Sequence, residues 1–190
     1  MLFGKKNNST WSKLSVQQLQ AVMEVPQEFE LIDMAKSVTA IVDSKSLDDV
    51  EEMDLDDLLK RYAVIRKELN QEPFKPFKFY VKLDGKRYYI CRMFDEFSTA
   101  QWVDFAHFTK NPENSIPLMH EIVATCLREV NWIGNPKKYD GTKHKEKADL
   151  VRKHMKAVDA LGISGFFLLS YLSLSETLEQ FLSKQKLTEI

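Results

Sequence analysis

The stretch FKFYVKLDGKRYYICR (77–92), followed at once by FDEFSTAQWVDFAHF (94–108), specifies a β-hairpin and then a helix. Asp84-Gly85 sits between two alternating apolar runs, and a two-residue type I′ turn needs positive φ at both central positions. Pairing outward from that turn places Leu83 opposite Lys86, Val81 opposite Tyr88, Phe79 opposite Ile90 and Phe77 opposite Arg92. One face then carries Phe77, Phe79, Val81, Leu83, Tyr88 and Ile90, and it requires a cover, because an isolated hairpin is marginal in water. The other face carries Lys78, Tyr80, Lys82, Arg87, Tyr89 and Cys91 and is expected to stay open. Downstream, Ser98 with Gln101 reads as a capping box and Phe97 with Trp102 as a hydrophobic staple. Trp102, Phe105 and Phe108 recur at helical spacing, and Trp102 is expected to be buried against Phe97 and the apolar hairpin face.

Before the hairpin, residues 1–10 read as a flexible polar arm and 11–72 as an acidic helical region. Ser15 caps a short helix with Val16, Leu19, Val22 and Met23 inward, stopped by Pro26. Residues 29–42 predict a second helix with Phe29, Ile32, Ala35, Val38 and Ile41 on one side. Ser46 opens a helical turn, and Asp54 caps a helix whose stripe is Leu55, Leu58, Leu59, Tyr62, Ile65 and Leu69. Beyond the hairpin, Ser115 opens a helix expected to reach Val130. Residues 131–143, NWIGNPKKYDGTK, form a loop of a length that is often functional or interfacial. A helix over 145–161 closes at Gly162 in a C′ position, and Ser164 caps the last helix. Phe166, Phe167, Leu168, Leu169, Tyr171, Leu172 and Leu174 cover too much of that helix's circumference for one amphipathic stripe, so burial in the domain and against a partner is expected. The expected fold is mainly α with one antiparallel β-hairpin, an α+β arrangement in a single compact helical domain in which 73–190 supply the hairpin and the helical core.

The chain has 190 residues and a formal net charge of −1, with 44% hydrophobic and 29% charged residues, values of an ordinary globular protein. The near-zero net charge conceals segregation. Residues 24–72 hold fourteen acidic and six basic side chains, residues 73–92 six basic and one acidic, and residues 137–156 eight basic and three acidic. Such polarity can steer self-association or docking. The first residues show no secretory pattern, and the longest uncharged run, 160–175, is shorter than the ~20 residues a membrane span needs. Cys91 and Cys126 have neither metal-ligand nor redox spacing and read as small buried hydrophobes.

Catalytic constellations are not apparent. His107 lies one turn after Asp104, His120 adjoins Glu121 without facing it, and His144 and His154 are ten apart. Gly162-Ile163-Ser164-Gly165 is not a full nucleophile elbow, and no phosphate-binding glycine motif or calcium loop occurs. No catalytic residue, cofactor or metal site is expected. The basic-aromatic hairpin face, with Lys78, Lys82 and Arg87 among Tyr80 and Tyr89, suits either an acidic protein surface or single-stranded nucleic acid.

Several segments together resemble small assembly proteins of tailed bacteriophages, the tail assembly chaperones or baseplate-hub assembly proteins. They are TWSKLSVQQLQAV (10–22), VKLDGKRYYI (81–90), FDEFSTAQWVDFAHF (94–108), YDGTKHKEKADLV (139–151) and VDALGISGFFLLS (158–170). The resemblance implies a non-enzymatic role in building a phage particle, as a chaperone or as a multimeric connector or tail component. Its partners would be tail, baseplate or connector proteins, including copies of itself, and its places the host cytoplasm during assembly and the virion. The expected partner-binding residues are Lys78, Tyr80, Lys82, Arg87, Tyr89, Phe166, Phe167 and Tyr171, with no membrane contact. A nucleic-acid-binding module using the hairpin face is the alternative.

Overall fold

The computed structural model describes residues 10–71 and 78–188. Its described elements run in the order α1 (Thr10–Lys13), α2 (Val16–Glu24), α3 (Leu31–Asp43), α4 (Leu47–Glu51), α5 (Leu55–Leu69), β1 (Tyr80–Leu83), β2 (Lys86–Ile90), α6 (Thr99–Thr109), α7 (Met119–Cys126), β3 (Leu127–Glu129), α8 (His144–His154) and α9 (Ala157–Thr188). The fold is mainly helical with a small antiparallel sheet in the order β1-β2-β3.

Local chemistry sets four of the helix starts among the described residues. Ser15, Ser46 and Ser98 each accept from the backbone N–H three residues on, and Gln18, Asp49 and Gln101 return the bond as capping boxes. Asp54 caps α5, whose first turn is acidic and last turn basic, as the helix dipole favours. At the hairpin turn Asp84 and Gly85 have φ of 46° and 76°. The register follows directly: Leu83 faces Lys86, Lys82 faces Arg87, Val81 faces Tyr88 and Tyr80 faces Tyr89. Ile90 N–H donates to the Phe79 carbonyl at 2.9 Å, which continues the pairing. The expected partner of Arg92, Phe77, lies outside the described residues, as does the side chain of Leu172 and those beyond Ser173.

Among the described residues two apolar clusters form the interior. The larger joins Leu14, Val16 and Leu19 to the sheet residues Leu83, Tyr88 and Ile90, to Phe105, to α7, and to Val151, Ile163 and Phe167. The smaller gathers Ala35, Val38, Val50, Leu58, Tyr62 and Ile65 from α3, α4 and α5, and Val42 and Leu69 pack against both. Trp11 of α1 and Val16 and Leu19 of α2 pack in or against the larger cluster, while Val22 of the same α2 packs against the smaller one. Trp11 Nε1 ties the two parts together by donating to the carbonyls of Glu68 and Gln71 at 3.0 and 2.9 Å. Gln18 Nε2 does the same with the Ile41 carbonyl at 2.9 Å.

Four expectations are corrected. The helix expected over 115–130 is only α7, because residues 127–129 leave it to pair with β2, Leu127 opposite Ile90 and Glu129 opposite Tyr88. The helix expected over 145–161 breaks at Met155 instead. There the backbone pairs with the start of the chain: Val16 N–H donates to Met155 and Ala157 N–H to Leu14, at 3.0 and 2.8 Å. Gly162 is therefore no terminator, and α9 runs through it and through Gly165. Ser164 is buried inside α9, 3.5 Å from the Leu161 carbonyl, rather than capping it. Several stripe residues of the N-terminal helices, Met23, Phe29, Ile32 and Leu55, face outward.

Candidate partner-binding surface

The two faces of the hairpin are not the buried and open pair that alternation suggests. Leu83, Tyr88 and Ile90 enter the core as expected, but Phe79 is exposed, with the Arg92 guanidinium 4.4 Å above its ring. On the opposite face Tyr89 and Cys91 are buried. The turn at Phe94–Glu96 folds over that end, and the Tyr89 hydroxyl donates to the Glu96 carboxylate at 2.8 Å. Burial, with Glu96 beside it, pushes the Tyr89 hydroxyl up to about 12. Cys91 and Cys126 are free, buried thiols raised by desolvation, and Cys91 N–H donates to the Cys126 carbonyl at 3.0 Å. Lys78, Tyr80, Lys82 and Arg87 remain exposed. Arg87 lies over the Tyr80 ring at 4.1 Å, so one face of that ring is already occupied.

Behind the hairpin, Gln101 is the hub that holds α6 to the sheet. Its amide donates to the Thr125 carbonyl at 2.8 Å, and its oxygen accepts from Arg128 Nε and Nη2 at 3.0 and 2.7 Å. Arg128 also donates to the Glu96 carbonyl. The same side chain thus closes the capping box and anchors β3.

An aromatic cluster covers the far side of α6. Phe105 is fully buried among Phe94, Phe97, Phe167 and Tyr171 at ring separations of 5.2 to 6.1 Å. Trp102 is only half-buried, and its ring packs on Phe94 at 4.9 Å and on Tyr171 at 5.9 Å, whereas Phe97 packs on Phe94, Phe105 and Phe167. The expected burial of Trp102 against Phe97 and the hairpin is corrected accordingly. Of the expected partner residues on α9, Phe167 is buried in the core and Tyr171 is half-buried, while Phe166 is exposed together with Leu169. Phe166, Leu169 and Met93 flank an open apolar groove of about 650 Å³.

Histidine spacing gave no sign of the polar chain that the fold assembles. Asp104 accepts from the Tyr139 hydroxyl at 2.6 Å, Tyr139 is 3.1 Å from His144 Nδ1, and His144 Nε2 is 2.7 Å from Glu121. His144 stacks on Phe108 at 5.0 Å. Burial and Asp104 push the Tyr139 hydroxyl well up, so it keeps its proton near neutral pH and clamps α6 to α8, with His144 carrying the link on to Glu121 of α7. His107 instead packs beside Phe108, and its expected partner Asp104 is engaged by Tyr139. Among the described residues no cluster of three or more His, Cys, Asp or Glu could hold a metal ion.

Among the described residues the most exposed large hydrophobic side chain is in the loop after β3. Trp132 is 94% exposed and Ile133 63%. Their carrier is well braced: Asn131 Oδ1 accepts from the N–H groups of Ile133 and Asn135 at 3.1 and 2.9 Å, Asn131 N–H donates to Asn135 at 2.9 Å, and Gly134 adopts φ +99° to close the turn. Val130 N–H donates to the Arg87 carbonyl at 3.0 Å, which sets this loop beside the hairpin turn. Among the described residues no helix is long and apolar enough to cross a membrane. No family model, curated protein or solved structure matches the chain.

Proposed function

We propose that the protein acts by protein–protein interaction in tailed-phage morphogenesis, as a tail or baseplate assembly chaperone or as a multimeric connector or tail component of the virion. Trp132 carries the interaction part of this reading. An almost wholly solvated indole on a turn held by four hydrogen bonds costs little backbone entropy to dock, and Trp is among the residue types most enriched in binding hot spots. Arg87 and Lys82 at the adjoining hairpin end supply the charge that orients a partner. The phage part rests on the resemblance of the five segments from residue 10 to residue 170. Partners would be tail, baseplate or connector proteins or further copies of the chain, met in the host cytoplasm and, for a component, kept in the particle.

Nucleic-acid binding is less well supported, because Tyr89 is buried and Arg87 covers Tyr80. The test is detection in purified particles together with affinity capture from phage-infected cells. Co-purification with tail or baseplate proteins supports the reading, presence in the particle marks a component and absence a chaperone. Recovery of nucleic acid alone contradicts it.

A further inference from the structure

The outer edge of β1 bears on a question separate from Trp132. Ile90 N–H donates to the Phe79 carbonyl, and by the alternation of an antiparallel ladder Val81–Tyr88 and Leu83–Lys86 are then the pairs that exchange bonds. The N–H and C=O groups of Tyr80 and Lys82 therefore point away from β2. β1 ends the sheet, and among the described residues no hydrogen bond reaches these groups. Beside them lies a groove of about 260 Å³ between β1 and the junction of α8 and α9. Val81, Ile90, Met155 and Ile163 give it an apolar lining. Lys78, Lys82 and Lys156 also line it, against the single carboxylate of Asp159.

Lysines on an edge strand commonly serve to block unwanted pairing. Here, however, the edge opens on a groove whose lining is half apolar and can take alternate side chains of an added strand, and Lys156 comes from the break between α8 and α9, away from the edge strand. We propose that β1 accepts an extended acidic segment of a partner protein by strand addition. The partner's backbone would bond to Tyr80 and Lys82, its alternate apolar side chains would enter the groove, and its carboxylates would meet Lys78, Lys82 and Lys156. Charge complementarity selects this occupant over a second copy pairing edge to edge, which would set Lys78 and Lys82 against the same lysines. The inference holds whether or not the partner belongs to a phage particle.

The probe is a fluorescein-labelled peptide, Glu-Val-Glu-Ile-Glu-Val, titrated against the full chain with amide resonances followed in parallel. Saturable binding is expected, with the largest shifts at Tyr80 and Lys82. N-methylation of alternate peptide nitrogens should weaken binding roughly tenfold through loss of two hydrogen bonds. Lys82→Glu with Lys156→Glu should weaken it at least as much while thermal unfolding stays as in the parent. Equal binding of the N-methylated peptide would show attraction by charge alone and overturn strand addition. No binding at millimolar peptide to the folded chain, or displacement of the peptide by single-stranded oligothymidylate at physiological salt, would overturn it as well.

Discussion

Lys147 Nζ lies 3.1 Å from the carbonyl oxygen of Leu127, at the point where α7 stops and β3 begins. It also donates to the Ala124 carbonyl at 3.1 Å and sits 4.4 Å above the Tyr139 ring, so the buried ammonium caps the C-terminus of α7. Desolvation lowers its pKa to about 8. Replacement by Met leaves the two carbonyls without this donor and should cost about 1–3 kcal/mol.

The same lysine gives a pH signature. Below about pH 8 both folded and unfolded chains hold its proton, whereas above it the folded chain has lost a proton that the unfolded chain, with an ordinary lysine, retains. Stability therefore gains from Lys147 as pH rises from 8. The thiols of Cys91 and Cys126, raised in the folded state, oppose this from about pH 9 upward, and the Tyr89 hydroxyl does so above about pH 10. Denaturant unfolding between pH 8 and 9 should show the gap between parent and Lys147→Met widening. A constant gap would place the lysine's proton elsewhere.

Gln101→Leu should destabilise by about 2–3 kcal/mol, because it removes the donor to Thr125 and the acceptor for Arg128 from a buried site. Equilibrium unfolding measures this, and a variant as stable as the parent would mean that Arg128 finds another acceptor.

Within α6 the cost should follow burial rather than ring size. Phe105→Ala should cost about 3–5 kcal/mol. Trp102→Ala, at a half-buried position, should cost roughly 1–2 kcal/mol. The reverse order in thermal or denaturant unfolding would mean that the packing around α6 is other than described.

Those two rings show what sequence pattern conveys. Ser98 with Gln101 and Asp84 with Gly85 are short-range devices whose chemistry is complete within a few residues, so the helix start and hairpin register were legible. Periodicity could say that α6 is a packing helix but not which of Trp102 and Phe105 lies deepest, since that depends on Phe94 and Phe167 arriving from elsewhere. The third strand and the break at Met155 were hidden for the same reason: residues 127–129 and 155–156 depart from helix only because β2 and the segment around Ser15 offer backbone partners. At the candidate surface, alternation gave the exposure of Lys82 and Arg87 but not the burial of Tyr89 under the turn at Glu96. The loop 131–143 was marked by its length, although nothing local singled out Trp132.

Removing residues 164–190 takes Phe167 out of the aromatic cluster and exposes Phe94, Phe97 and Phe105. The truncated chain should aggregate or lose cooperative unfolding, as judged by light scattering and thermal melts. Leu169→Ser, at an exposed position, should unfold within about 0.5 kcal/mol of the parent. A soluble, cooperatively folding truncation would take α9 out of the core.

The central claim, interaction through the loop beside the hairpin, is tested most directly by Trp132→Ala in capture from phage-infected cells. Because the indole is almost wholly in solvent, the variant should unfold within about 0.5 kcal/mol of the parent. It should nevertheless lose the co-purifying tail or baseplate proteins that the parent retains. A folded variant that captures the same proteins in the same amounts would contradict the account.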